Sequence, residues 1–308
     1  MQVRWPFRLR PPEAKSVPNL TAAFESLFHT APVGPLNVLR TPGQPHQRGV
    51  YLVSGNEAPY ARTQTFEDMM LTRSEVPALT VASGPSGCTY IVGSKRDDWS
   101  LRLSAVGEGN SEAEAIERAN VVSLVRTGAT VALHGTSLGS RAFQCQLIVE
   151  APADAPTTVH GTFAPVEVRD MTGPVRVTAI RARAKVLNTT GHVDACAPMI
   201  DFAASQGDVI LSAEWDINLK FTSDSFRGSL MAWAQRSVRV LIPESFRSAF
   251  RIVVNRPQDC VCRTKFSEQL RQEHDNGLCV FTYAGDGTSA AEAIHLRSEH
   301  TQVILDGF

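Results

Sequence analysis

The sequence predicts a mainly β protein: a β-solenoid-like stack of short strands, with a short decorating helix and an irregular N-terminal arm. Three observations predict it. Between about residues 160 and 222, short β triplets recur every 7 to 11 residues with only turns between them. From about residue 66, short segments alternate apolar and polar side chains with period two, bounded by Gly, Pro and Ser. The first 60 residues are instead punctuated by proline, which fixes φ and removes a backbone donor.

Composition bounds the function classes. The 308 residues include 30 basic and 31 acidic side chains, for a net charge of −1, with 43% hydrophobic and 20% charged residues. That balance excludes a wholly disordered chain. It also argues against a dedicated nucleic-acid binder, which carries a basic excess. No apolar run approaches the ~20 residues of a membrane-spanning helix. Arg4, Arg8 and Arg10 are followed by no apolar signal core. The expected location is therefore cytoplasmic, with a surface or periplasmic one reached only by a non-standard route. Cys88, Cys145, Cys196, Cys260, Cys262 and Cys279 are scattered, which suits small core residues in a reducing compartment. Cys260 and Cys262, one residue apart, have the wrong spacing for a metal knuckle or a redox dithiol, and on a strand they share a face.

The elements follow in order. Residues 1–60 form the Pro-rich arm, and residues 61–308 the β-repeat domain. Within the arm, Asn19 can cap one short helix whose apolar face is Leu20, Phe24, Leu27 and Phe28. In the domain, Leu79 and Val81, then Tyr90 and Val92, flank the turn Ser83–Gly87. Trp99, Leu101 and Leu103 alternate with Ser100, Arg102 and Ser104. Ser111 and Glu114 form a capping box for a helix that ends near Asn120, before the β-branched pair Val121 and Val122. Val131 and Leu133 follow, then Phe143, Cys145, Leu147 and Val149.

The repeat carries the strongest signal. Its triplets begin at Val166, Val175, Val186, Val193, Ile200, Val209 and Ile217. A strand this short cannot bury its apolar face against one hairpin partner, but it can when stacked on equivalents two steps away. The first and third members then point inward, and the middle ones (Glu167, Arg176, Asp194, Asp201, Asn218) point to solvent. An antiparallel meander has similar spacing, but it prefers Asn-Gly or Asp-Gly hairpin turns, and this stretch has neither. Less regular alternation continues through Val238–Ile242, Phe250–Val254, Cys260 and Cys262, Ile294 and Leu296, and Val303–Leu305.

Gly-Pro-Val-Arg-Val at 173–177, Gly-His-Val-Asp-Ala at 191–195 and Gly-Asp-Val-Ile-Leu at 207–211 resemble the bacterial putative-adhesin β-strand-repeat family, a domain of unknown function. The order of parts agrees: a strand ending in Pro and small residues (147–155), a later partner (238–244) and a closing strand pair (294–305). The resemblance covers about residues 70 to 308. It implies a right-handed β-solenoid-like fold and supplies no catalytic residues.

Several constellations resemble chemical motifs. Gly135–Gly139 matches Gly-x-Ser-x-Gly around Ser137, but that motif needs a helix after it, and here another strand follows. Asp194, Asp201, Asp208 and Asp216 recur too irregularly for a calcium repeat and read as solubilising charge. His192, Asp194 and Cys196 share one face of a strand, without the separately placed base and orienting group a nucleophile needs. His295 and His300 lack zinc-ligand spacing. Gly84–Gly87 lacks the lysine and helix of a phosphate loop. Arg176, Arg181, Arg183 and Lys185 form the densest basic patch, interleaved with acids into a mixed solvated face.

No catalytic, cofactor-binding or metal-binding residue is assigned, and no cofactor is implied. The expected role is a non-catalytic scaffold or protein-binding surface, with a protein partner or self-association. The alternatives are a polymer-forming cytoskeletal-type scaffold and a carbohydrate-active solenoid enzyme; the second would need paired acids and exposed aromatics along one face.

Overall fold

The computed structural model describes residues 50–51, 60–66, 68–84, 87–135, 143–285 and 294–308. The helix expected over residues 20–28 lies outside them. The described chain is mainly β. Its first strands are β1 (Val50–Tyr51), β2 (Tyr60–Thr65), β3 (Met69–Leu71), β4 (Leu79–Ala82), β5 (Cys88–Ser94), β6 (Trp99–Gly109), β7 (Val122–Thr127), β8 (Thr130–Gly135) and β9 (Phe143–Pro152). The repeat region forms β10 (Thr157–Gly161), β11 (Val166–Arg169), β12 (Val175–Ala179), β13 (Arg183–Leu187), β14 (His192–Ala204), β15 (Asp208–Phe221), β16 (Leu230–Ala234) and β17 (Ser237–Ile242). Then come β18 (Phe250–Val254), β19 (Cys260–Arg263), β20 (Arg271–Asp275), β21 (Leu278–Tyr283), β22 (Ile294–Ser298) and β23 (Gln302–Gly307).

These strands join one mixed sheet that contains two long parallel ladders. The first runs β8–β4–β10–β12–β14–β15–β16–β22–β18. The second runs β9–β5–β11–β13–β14–β15–β17–β23–β19. β14 and β15 belong to both, with a register shift between Ala197 and Met199 separating their halves.

Register explains the core. Val175 lies opposite Val193, Val193 opposite Val209, Val209 opposite Leu230, and Leu230 opposite Ile294. In the second ladder Val166, Ala184, Ile200, Ile217, Val238 and Val303 form the matching row. All of these side chains are buried in one cluster that draws on both ladders. Each strand alone would expose its apolar face; in register the faces merge, and each buried aliphatic side chain contributes about 1.5–3 kcal/mol. One triplet differs from expectation. In β13 the inward residues are Ala184 and Val186, while Asn188 is exposed at φ 52° and ends the strand. Asparagine tolerates this left-handed conformation. The small Ala184 gives a weaker apolar signal than the valine two residues later, which drew the expected triplet too far along the chain.

Antiparallel strands flank the ladders. β6 pairs with β9, β2 and β3, and β7 forms a hairpin with β8. β21 pairs with both β18 and β20. Helix α1 (Glu112–Ala119) packs on β6 at Gly107, where a Cβ would lie 2.1 Å from the Ala115 carbonyl oxygen. The Ser111 hydroxyl accepts from the Glu114 N–H (3.2 Å), as the capping box predicts. The Glu114 carboxylate accepts from Asn110 N–H (2.7 Å) rather than from Ser111.

Two segments are placed out of chain order. β4–β5 lie between β8–β9 and β10–β11, and β22–β23 lie between β16–β17 and β18–β19. Each is hydrogen-bonded on both sides. No helix of the described residues is long and apolar enough to cross a membrane.

Candidate binding surfaces

The corner that leads into the first ladder is built from stacked glycines. A Cβ on Gly191 would lie 2.4 Å from the Gly173 carbonyl oxygen, one on Gly207 would lie 2.8 Å from that of Gly191, and one on Gly228 would lie 2.4 Å from that of Gly207. Gly207 and Gly228 also adopt φ of +131° and +105°. The recurrent glycine therefore lets successive turns approach backbone to backbone. Gly228-Ser229-Leu230-Met231-Ala232 repeats the pattern and extends the column beyond the three copies picked out in the sequence.

Outward side chains form cross-strand pairs between successive layers. Lys185 Nζ donates to Glu167 Oε2 (3.2 Å), and Arg176 Nε lies 3.3 Å from Asp194 Oδ2. Arg183 pairs with Asp201, which also accepts from Asn218 Nδ2 (2.9 Å). Asp216 accepts from Ser237 Oγ (2.5 Å) and Arg236 Nη2 (3.1 Å), and its side chain is only 13% exposed. Each exposed pair contributes about 0–1 kcal/mol. Together they link successive layers on the outward side of the ladders.

These contacts involve the acidic and basic residues that recur along the repeat. Asp194, Asp201 and Asp216 are half-buried and paired rather than freely solvated, while Asp208 Oδ1 accepts from the Ser229 N–H (3.3 Å) and hydroxyl (3.0 Å). His192, Asp194 and Cys196 do share the outward side of β14. Burial pushes the Cys196 thiol up, and the Asp194 charge adds to this, so the arrangement disfavours a thiolate. The basic patch is engaged throughout: Arg176, Arg183 and Lys185 meet acids, and Arg181 lies over the Phe163 ring at 5.6 Å. His295 faces outward between Met231 and Arg251; burial first, then the Arg251 charge, lowers its pKa. His300 sits in a corner, its N–H donating to Gln235 O (2.8 Å). Ser137 lies outside the described residues. Gly87 makes a corner at φ +94°, with a strand after it, and a Cβ there would lie 1.7 Å from the Cys145 carbonyl oxygen. All six cysteines are free, with Cys145 and Cys279 buried and the rest half-buried. Burial raises the Cys260 thiol to about 12, and Cys262 beside it adds to the shift.

Along the glycine column runs a two-lobed polar groove that the sequence did not indicate. One lobe, of about 490 Å³, is lined by Ser205, Gln206, Ser223, Asp224, Ser225 and Arg227. The other, of about 360 Å³, includes Thr190, His192, Asp208 and again Gln206 and Arg227. Gln206 and Arg227 pair as an isolated parallel bridge. The signal available in sequence was a second layer of turn residues, Ser205-Gln206-Gly207 followed by Ser225-Phe226-Arg227-Gly228.

No family model and no curated protein matches the chain. Solved structures similar to it include a putative cell adhesion protein from Clostridium sporogenes, at 9% identity and TM-score 0.29, covering 80% of this chain and 98% of that one. A putative adhesin from Bacteroides fragilis matches at 11% identity and TM-score 0.34, covering 80% and 97%. A putative lipid binding protein from Parabacteroides distasonis matches at 7% identity and TM-score 0.30, covering 80% and 96%. Two of the three are described in the terms of the adhesin family that the sequence resembles.

Proposed function

We propose that the chain is a non-catalytic scaffold with a β-solenoid-like body that presents a rigid face to a protein partner. The observation that supports this most is the set of inter-layer side-chain pairs on the outward side of the ladders, exemplified by Lys185–Glu167 and Arg183–Asp201–Asn218. Side chains already held in one geometry lose little entropy on docking, so such a face is pre-organised for binding. Beside these pairs, Leu241 is exposed and Arg239 meets no acid among the described residues, which marks the outward side of β17 as a contact point. Six free thiols suit a reducing, cytoplasmic setting. End-to-end polymerisation is the weaker reading, because the hairpin strands β7 and β20 close the first ladder and β20 is fully exposed and charged, a composition that resists edge pairing.

The test is affinity capture from the native host with the full chain and with the double variant Arg239→Glu, Leu241→Glu. The expected result is a captured protein that the variant loses while its melting temperature is unchanged. Capture that survives the variant, or turnover of a substrate by the purified chain, overturns the reading.

A further inference from the structure

We infer that the two-lobed groove beside the glycine column binds a neutral oligosaccharide. This goes beyond the scaffold reading and does not depend on it. The groove is built from turn residues, and main-chain hydrogen bonds tie its two turns together. Gly207 N–H donates to Arg227 O (2.8 Å), and Arg227 N–H donates to Ser205 O (3.0 Å). The side chains are left over. Among the described residues, the Arg227 guanidinium, the Gln206 amide and the Ser205 and Ser225 hydroxyls meet no hydrogen-bonding or ionic partner. On the ladder surface Arg176, Arg183, Lys185 and Arg236 pair with carboxylates and Lys220 lies over the Phe308 ring, while Arg239, like Arg227, meets no acid among the described residues.

Charge decides the ligand class. The larger lobe holds one cation, Arg227, and one acid, Asp224; the smaller holds Arg227, Asp208 and the imidazole of His192. Each acid already accepts serine donors on Oδ1, from Ser245 and Ser229 respectively, which leaves Oδ2 for a ligand. An anionic ligand gains from Arg227 but meets the acids, and a cationic ligand meets the reverse. A hydroxyl group both donates and accepts. Adjacent hydroxyls of a sugar can therefore accept from the guanidinium fork and the amide while donating to the free carboxylate oxygens. Both lobes fall within the ~300–1,000 Å³ of small-molecule sites, and both are lined by Gln206 and Arg227.

The full chain is titrated with maltotriose, cellotriose and mannotriose, with trigalacturonate as the charged comparison, by calorimetry or NMR. Saturable binding of at least one neutral trisaccharide is expected. Arg227→Ala and the groove-filling Ser205→Trp should each weaken it at least tenfold, and Arg227→Lys should weaken it less than Arg227→Ala. Lys95→Ala, which removes an exposed cation that lines neither lobe, should leave it unchanged. Thermal melts of all variants check folding, and the two groove variants are independent if one fails. No saturable binding by any neutral trisaccharide, tighter binding of trigalacturonate, or full affinity retained in both groove variants overturns the assignment. None of these results bears on capture through β17.

Discussion

The Gly173 carbonyl oxygen lies 2.4 Å from where a Cβ on Gly191 would stand. The atom in the way is backbone from the preceding turn, so no side-chain rotation can relieve the clash. Gly191→Ala should therefore cost about 3 kcal/mol, at the upper end of ordinary overpacking. Gly277→Ala is the comparison: a Cβ there meets nothing within 4 Å, so its cost comes only from its φ of +80°. Chemical denaturation of both variants checks the ranking, and equal losses would refute the stacking account.

Val209 is buried between Val193 and Leu230, whereas the Arg176 side chain is 67% exposed despite its pairing with Asp194. Val209→Asp should cost several kcal/mol, because it buries an unpaired charge. Arg176→Gln should change stability by less than about 0.5 kcal/mol. Urea midpoints of the two variants measure the difference.

Trp99 donates its Nε1–H to the Val76 carbonyl oxygen at 2.9 Å, and both residues are fully buried. Trp99→Phe keeps most of the packing but leaves that carbonyl without its donor. The expected loss is about 1–3 kcal/mol. Thermal unfolding followed by calorimetry reads it directly.

His295 has its pKa lowered by burial and then by Arg251, so the fold prefers the neutral ring. Above the unfolded value of about 6.5 this preference costs nothing. As the pH falls below it, the unfolded chain takes up a proton that the folded chain resists, and stability is lost down to the folded pKa. Melting temperature measured from pH 7.5 to 5 should fall less steeply in His295→Gln than in the parent chain; identical slopes would exclude this residue as the source.

Burial raises the Cys260 thiol to about 12. At pH 8 it should react with iodoacetamide far more slowly than a free thiol such as glutathione, because the thiolate is the reactive form. Mass spectrometry of the alkylated chain after timed quenching would show this, and prompt modification of Cys260 would count against it.

Much of the fold was legible because period-two alternation survives wherever the inward residues are large. Val166 and Val168, Val175 and Val177, and Ile217 and Leu219 are examples, and all six are buried. Where alanine takes the inward position, as at Ala184, the contrast fades and the frame slips by two residues. In sequence the glycines look like punctuation. Their reason, a backbone approach between turns distant in sequence, needs three dimensions to see. The hairpin β20–β21 carries a plain sequence signal, Asn276-Gly277, with φ of 51° and 80°. The groove was illegible for a different cause. Ser205, Ser223 and Arg227 are ordinary turn residues until register sets the two turns side by side.

The placement of β22–β23 has a consequence for how the molecule is made. Residues 250–263 leave the ribosome before residues 294–307, yet the native neighbours of the earlier segment include the later one. Until the later strands are synthesised, the earlier ones face a vacant slot beside β16 and β17, and the half-built end exposes unsatisfied amides and carbonyls. Completion comes as a wedge driven home rather than as a row extended. Once seated, residues 294–307 can be drawn out only by rupturing hydrogen bonds on both flanks together.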